Sequence, residues 1–98
     1  MPTQPAAPSS VTVVHAPACH FCSDAEEALA VVAVRFPLDI RRIELDSPDG
    51  RRLVAEHRPA MSPLVLLDGA FFSSGRLPRK KLVRELELRA ARRLAGTA

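Results

Sequence analysis

Large aromatic residues are nearly missing from this chain of 98 residues, which has four Phe and neither Trp nor Tyr. Its core must therefore be built from Val, Leu, Ile and Ala, and without interleaved aromatics for base stacking no nucleic-acid partner is expected. No apolar run approaches the roughly eighteen residues that a membrane span requires, so no membrane partner is expected either. Lys and Arg are absent before Arg35, and the first ten residues are rich in Pro, Ala, Ser and Thr. That start is unlike a secretory signal, and the cytoplasm is the expected location. Cysteine is scarce as well, with two residues in all, Cys19 and Cys22. In a reducing compartment a close pair is expected to cycle between thiol and disulfide rather than to staple the fold.

An apolar fraction of 47% argues for a folded globule, and the length suits one domain with a modest core. Charge is unevenly spread. Residues 1–75 carry six Arg against nine acids, whereas residues 76–98 carry eight Lys or Arg against two Glu. The C-terminal segment is thus a basic helix, which suits either a solvated outer face or a surface for an acidic partner.

Residues 1–10 hold three prolines and no periodicity, and read as a flexible leader before a domain over 11–98. Val11–Val14 is a β-branched strand. Phe21, Ala25, Ala28, Leu29, Val32 and Phe36 then recur at helical spacing, which predicts a helix from Cys19 to Arg35 that Pro37 ends. Leu38–Asp46 has strand character, but Leu38 and Ile40 are out of phase with Ile43 and Leu45, so a bulge or a late start is expected; Arg41, Arg42 and Glu44 suit an edge. Ser47 and Pro48 open a short helix that runs to about His57, before Arg58-Pro59. Leu64–Leu67, Asp68-Gly69 and Ala70–Ser73 form a hairpin signal, and Pro78 opens a last helix with Leu82, Val83, Leu86, Ala90 and Leu94 on one face and Gly96 at its close. The predicted order is β-α-β-α-β-β-α, an α/β fold of four mixed strands with helices on both faces.

The segment Cys19-His20-Phe21-Cys22 carries the chemistry. A C-x-x-C at the passage from strand to helix in a βαβ setting is the signature of a redox dithiol. Unpaired amides and the positive end of the macrodipole at a helix N-terminus favour thiolate over thiol, and such settings lower a cysteine pKa from about 8.5 to roughly 3.5–7.5. Cys19 is the expected nucleophile and Cys22, a turn further in, the resolving thiol. His20 can lend a hydrogen bond or a charge beside the thiolate. Two other readings stand beside this one. The cysteines can be inert small hydrophobes, or Cys19 and Cys22 with His15, His20 and His57 can supply metal or iron–sulfur cluster ligands, although a second C-x-x-C is lacking.

Three motifs, in this order, resemble the glutaredoxin family of the thioredoxin fold over about residues 11–94. They are Ala16-Pro17-Ala18-Cys19-His20-Phe21-Cys22, Met61-Ser62-Pro63 before the third strand, and Ser74-Gly75 before the last helix. The resemblance implies a thiol–disulfide oxidoreductase with no cofactor beyond the Cys19–Cys22 redox-active disulfide, acting as a monomer. It further implies a cis peptide bond at Pro63, with Ser62 offering its backbone to a substrate, and a substrate surface made of Pro17, His20, Phe21, Ser62, Pro63, Ser74, Gly75 and Arg76. Its expected partners are protein disulfides and an external reductase, either thioredoxin reductase or glutathione. Two departures favour the former. Ala16 stands where glutathione-using members commonly have lysine, and Arg76-Leu77-Pro78 replaces an acidic pair. Ser74–Pro78 is more similar to the small glutaredoxin-like redoxins that thioredoxin reductase reduces and that serve ribonucleotide reductase.

Overall fold

A computed structural model of the chain describes residues 8–96. Among these residues the elements are β1 (Ser9–His15), α1 (His20–Arg35), β2 (Leu38–Glu44), α2 (Pro48–His57), β3 (Leu64–Leu67), β4 (Ala70–Ser74) and α3 (Arg79–Gly96). The sheet has the order β2-β1-β3-β4, with β1 and β2 parallel and the other neighbours antiparallel. No described helix is long and apolar enough to cross a membrane.

The expected alternation of strands and helices holds because each element buries the stripe that its sequence offers. Val11 and Val13 of β1 and Val65 and Leu67 of β3 point to one face, where Ala25, Ala28, Leu29 and Val32 of α1 and Leu82 and Leu86 of α3 cover them. Val14, Leu64 and Leu66 point to the other face, which α2 covers with Leu53 and Val54. Truncating such a fully buried residue, Leu29 for example, typically costs about 2–5 kcal/mol.

Several boundaries and details differ from expectation. β1 starts at Ser9 rather than Val11, because the Ser9 amide donates to the Pro37 carbonyl at 3.1 Å and the Ser10 amide to Asp68 Oδ1 at 2.8 Å. The expected leader is shortened accordingly, and residues 1–7 lie outside the described residues. β2 pairs with β1 without a bulge, from Ser9 beside Leu38 to His15 beside Glu44. Its phase change has another cause: Leu38 packs on the first cluster, whereas Ile43 and Leu45 pack on the second, so this edge strand serves both faces in turn. The irregularity lies in the hairpin instead. Val65 faces Ser73 and Leu66 faces Phe71, which makes Phe72 the extra residue of a bulge. Ala90 and Leu94 are exposed, because the buried stripe of α3 is confined to its first half.

Local signals explain the ends. Ser47 Oγ accepts the Gly50 amide at 3.0 Å as N-cap of α2, and Arg58 closes that helix at φ 47 with its amide on Val54 O. Asp68 and Gly69 both have positive φ, 50 and 83, as a two-residue hairpin turn of type I′ demands.

Candidate active site

β1 ends at His15, and the chain turns through Ala16, Pro17 and Ala18 into α1. Ala18 has φ 50, a left-handed conformation that costs an L-residue roughly 1–2 kcal/mol. The turn delivers Cys19 in extended geometry to the N-cap of α1. The Cys19 carbonyl accepts the Ser23 amide at 3.2 Å, and its Sγ accepts the Cys22 amide at 3.1 Å. Sulfur thus occupies the place that a serine or aspartate oxygen takes at an ordinary N-cap. No acidic residue stands in the first turn to offset the positive helix end.

Cys19 and Cys22 are joined as a disulfide, with Cα atoms 5.2 Å apart. The two sulfurs are not equivalent in access: Cys22 is 0% exposed, whereas Cys19 is half-buried. The hydrogen bond to the Cys19 sulfur comes from the Cys22 amide, and His20 is exposed.

Strand register gathers the remaining expected residues at the same end of the sheet. Val14 pairs with Leu64 and Leu64 with Ser74, so the dithiol turn, the loop before β3 and the loop after β4 leave from neighbouring strand ends. The Ser62–Pro63 bond is cis, as the resemblance implies. Pro63 is buried, and its carbonyl accepts the Gly75 amide at 3.0 Å, which ties the two loops together. Gly75 has φ 81, a conformation that calls for glycine, and a Cβ there would stand 3.3 Å from both Cβ and Sδ of Met61, which would have to shift by a few tenths of an ångström. Ser62 and Ser74 are half-buried, whereas Pro17, Phe21, Met61 and Arg76 are exposed.

Leu77 is 3% exposed and belongs to the core. The position is therefore an anchor for the start of α3 and presents nothing to a ligand.

Behind the dithiol, charged residues clasp three elements. His15 Nδ1 lies 2.7 Å from Glu26 Oε2, Arg42 Nη1 lies 3.4 Å from Glu26 Oε1, and Arg42 Nε lies 3.0 Å from Glu44 Oε2. The His15–Glu26 pair has an ion-pair separation without hydrogen-bond angles, and both facing atoms are buried. Glu26 stands one helical turn past Cys22, so the clasp fixes the strand end from which the dithiol turn departs. Sequence reasoning missed it, although His15 before the turn and Glu26 four residues past Cys22 offered a signal. His15 was a candidate metal ligand, but no group of three or more His, Cys, Asp or Glu able to hold a metal is gathered among the described residues.

Asp24, two residues past Cys22, pairs with Arg79 of α3 at 2.7 Å, which docks the starts of α1 and α3 against each other.

No family model matches the chain, and no curated protein sequence does. Solved structures do match. One is the solution structure of a thioredoxin from Thermus thermophilus, with a TM-score of 0.53 and 18% identity over 85% of this chain and 74% of that one. The fold of this chain is thioredoxin-like, and its C-x-x-C pair sits at disulfide distance at the start of α1.

Proposed function

We propose that the protein is a dithiol thiol–disulfide oxidoreductase of glutaredoxin-like type. The observation that carries this reading is the unequal pair at the N-terminus of α1, an accessible Cys19 whose sulfur meets a helix amide and a fully buried Cys22 bonded to it. In the reduced protein, the Cys19 thiolate attacks one sulfur of a target disulfide. A Cys19–target disulfide forms and the first target thiolate leaves. Cys22, deprotonated, then attacks Cys19 Sγ; the mixed disulfide breaks, the Cys19–Cys22 bond forms and the second target thiolate leaves. Two electrons pass to the target, and the two protons lost by the cysteines are taken up by its thiols. An external dithiol or thiol reductant restores the pair.

Ser62 and Pro63 precede β3 at the sheet end where β1 leads into the dithiol turn, the Ser62 backbone would pair with a substrate strand, and the exposed Phe21 and Met61 would add apolar contact. Thioredoxin reductase is the favoured electron donor over glutathione. Ala16 offers no cation to a glutathione carboxylate, and the Arg76-Leu77-Pro78 stretch offers no carboxylate to its amino group. Each charge-assisted hydrogen bond lost is worth about 1.5–3 kcal/mol, or roughly ten- to a hundredfold in affinity. The expected setting is the cytoplasm, with the protein acting as a monomer.

The test couples turnover on a protein disulfide in parallel to thioredoxin reductase and to glutathione with its reductase. Turnover is expected with the first and slow with the second, and Ala16→Lys should narrow the gap. Absence of turnover with either donor, with Cys19 unreactive towards alkylating agents, would overturn the enzymatic reading. Equal turnover with both would overturn only the donor preference.

A further inference from the structure

α3 handles its cations in two ways. In its C-terminal half Arg89 pairs with Asp68 and, at 3.2 Å, with Glu85, and Arg92 reaches Glu85 at 3.3 Å. Around its N-terminus Arg79 is held by Asp24 at 2.7 Å, and Lys81 stands 5.1 Å from the centre of the Phe72 ring. Arg76, Lys80 and Arg84 remain. All three are exposed, and none has an ion-pair or hydrogen-bond partner among the described residues.

This placement is unfavourable to the helix itself. The first turn of α3 contains no acid of its own, and Asp24 of α1 answers Arg79 alone, so Lys80 faces the positive end of the helix dipole without an ion-pair partner. Lys80 and Arg84 are four residues apart, the spacing at which like charges destabilise a helix. The same residues line open surface. A groove of about 440 Å³ takes in Arg76, and another of about 340 Å³ takes in Arg84; Arg79 and Lys80 belong to both, so the three cations follow one path. Pro78 and Val83 give that path apolar lining. Its only carboxylate, Glu87, is engaged by Arg35 at 3.4 Å. The path starts at the dithiol end of the sheet, where Gly75 is bonded to Pro63, and the Asp24–Arg79 pair ties it to the first turns of α1.

We propose that this path binds an acidic polypeptide segment next to the target disulfide, so that the preferred substrates are protein disulfides flanked by Asp and Glu. The proposal rests on the oxidoreductase reading and adds the substrate class to it. Carboxylates laid along Arg76, Lys80 and Arg84 would pair the three cations that no described residue answers, and would steer encounter at low salt.

The experiment uses three peptides with one identical disulfide flanked by Glu, Gln or Lys, reduced by the whole protein at about 10 mM and at about 1 M ionic strength, where the screening length falls from roughly 30 to 3 Å. At low salt kcat/KM for the Glu peptide should exceed that for the Gln peptide by about tenfold, within the range of electrostatic steering, and the Lys peptide should be slowest. The preference should appear in KM and collapse at high salt. In a Lys80→Gln, Arg84→Gln double variant the Glu-to-Gln ratio should fall towards 1, while Arg92→Gln, whose cation is already paired, should keep it. The double variant should also be at least as stable to urea as the wild type, since it relieves repulsion. Equal rates for the Glu and Gln peptides at low salt, or an unchanged ratio in the double variant, would refute the proposal. Tighter competition by a single-stranded oligonucleotide than by the reduced Glu peptide would refute it too, by making nucleic acid the occupant. Failure to reduce even the Gln peptide would instead count against the oxidoreductase reading.

Discussion

At one end of the sheet the loops carry the disulfide and exposed apolar side chains; at the other one side chain, Asp68, joins the hairpin turn to β1 and α3. The open end holds the Cys19–Cys22 pair, the cis Ser62–Pro63 bond, left-handed Ala18 and Gly75, and exposed Phe21 and Met61. The tied end is organised around Asp68 in the hairpin turn. Its Oδ1 accepts the Ser10 amide at 2.8 Å, its amide donates to the Ser10 carbonyl at 2.8 Å, and its Oδ2 pairs with Arg89 of α3. One small domain thus keeps the disulfide at one end of its sheet and the Asp68 network at the other. Substitutions of the dithiol should accordingly be read out in exchange and alkylation, and those of the packing around it and of the Asp68 network in stability.

The largest effect is expected at the open end. Cys19→Ser should reduce disulfide-exchange activity to background while leaving the fold intact, because the half-buried Cys19 side chain carries no core packing. Cys22→Ser should retain the first exchange and accumulate a mixed disulfide with the target, visible by mass spectrometry and reversible with reductant. Alkylation of the reduced wild type should label Cys19 well before Cys22, which is fully buried. Equal labelling of the two would erase the division of labour between them.

Gly50 comes next and also belongs to the open end. A Cβ at this position in α2 would press into the backbone carbonyls of Glu44 and Leu45 where β2 ends, the latter at 2.8 Å. Backbone cannot rotate away as a flexible side chain can. Gly50→Ala should therefore cost about 3 kcal/mol, the upper part of the range for overpacking, although alanine is the better helix former. A urea melt decides: no loss of stability would mean that α2 can ride up from β2 without penalty.

These residues show what was legible in the sequence. The element order followed from apolar periodicity, from Ser47-Pro48 and from Asp68-Gly69, all of them local signals that the chain carries within a few residues. The cis bond at Pro63 was reached through the resemblance of Met61-Ser62-Pro63, since spacing alone could not single it out. What stayed hidden depends on residues far apart in the chain. Gly50 looks like a tolerated helix glycine until β2 lies beneath it, Asp68 looks like a turn residue until Ser10 arrives, and Leu77 looks available to ligands until α3 folds it inward. The phase change in β2 was visible, but its cause, one edge strand serving two cores, required knowing that helices cover both faces.

At the tied end, Asp68→Ala should cost about 2 kcal/mol, from the hydrogen bond to the Ser10 amide and from placing a non-polar L-residue at φ 50. The pairing with Arg89 adds little, because the Asp68 side chain is half-exposed. Disulfide exchange should be unaffected below the melting transition. The effect also has a pH signature. The Ser10 amide holds the Asp68 carboxyl below the ordinary carboxylate pKa, and Arg89 assists against the opposing effect of burial. A depressed folded pKa makes the contribution full above the unfolded value of about 3.9 and lost as pH falls through the folded value. The stability gap between wild type and Asp68→Ala should thus be constant near neutrality and shrink below about pH 4, in urea midpoints taken along the pH series. A gap that stays constant into strong acid would show that the neutral carboxyl serves the turn equally well.

The smallest effect is expected where neither end is involved. Arg58 closes α2 at φ 47, a conformation that costs an L-residue about 1–2 kcal/mol, and its exposed side chain has no partner among the described residues to justify the expense. Glycine removes that cost but loses more freedom on folding, by roughly 0.5–1 kcal/mol. Arg58→Gly should therefore stabilise by about 0.5 kcal/mol net, which for a domain of this size raises the melting temperature by roughly 2–4 °C. Disulfide exchange should not change, since α2 covers the sheet face away from α1 and α3. Ala18 sharpens the comparison, because it shares the left-handed conformation but sits in the turn that aims Cys19. Ala18→Gly relieves the same backbone cost and loosens that turn, so it should alter the rate of Cys19 alkylation where Arg58→Gly does not. If both variants gain stability and neither moves the alkylation rate, the left-handed turn before Cys19 is a matter of chain path alone. If only Ala18→Gly moves it, the turn helps to hold the sulfur against the α1 amide.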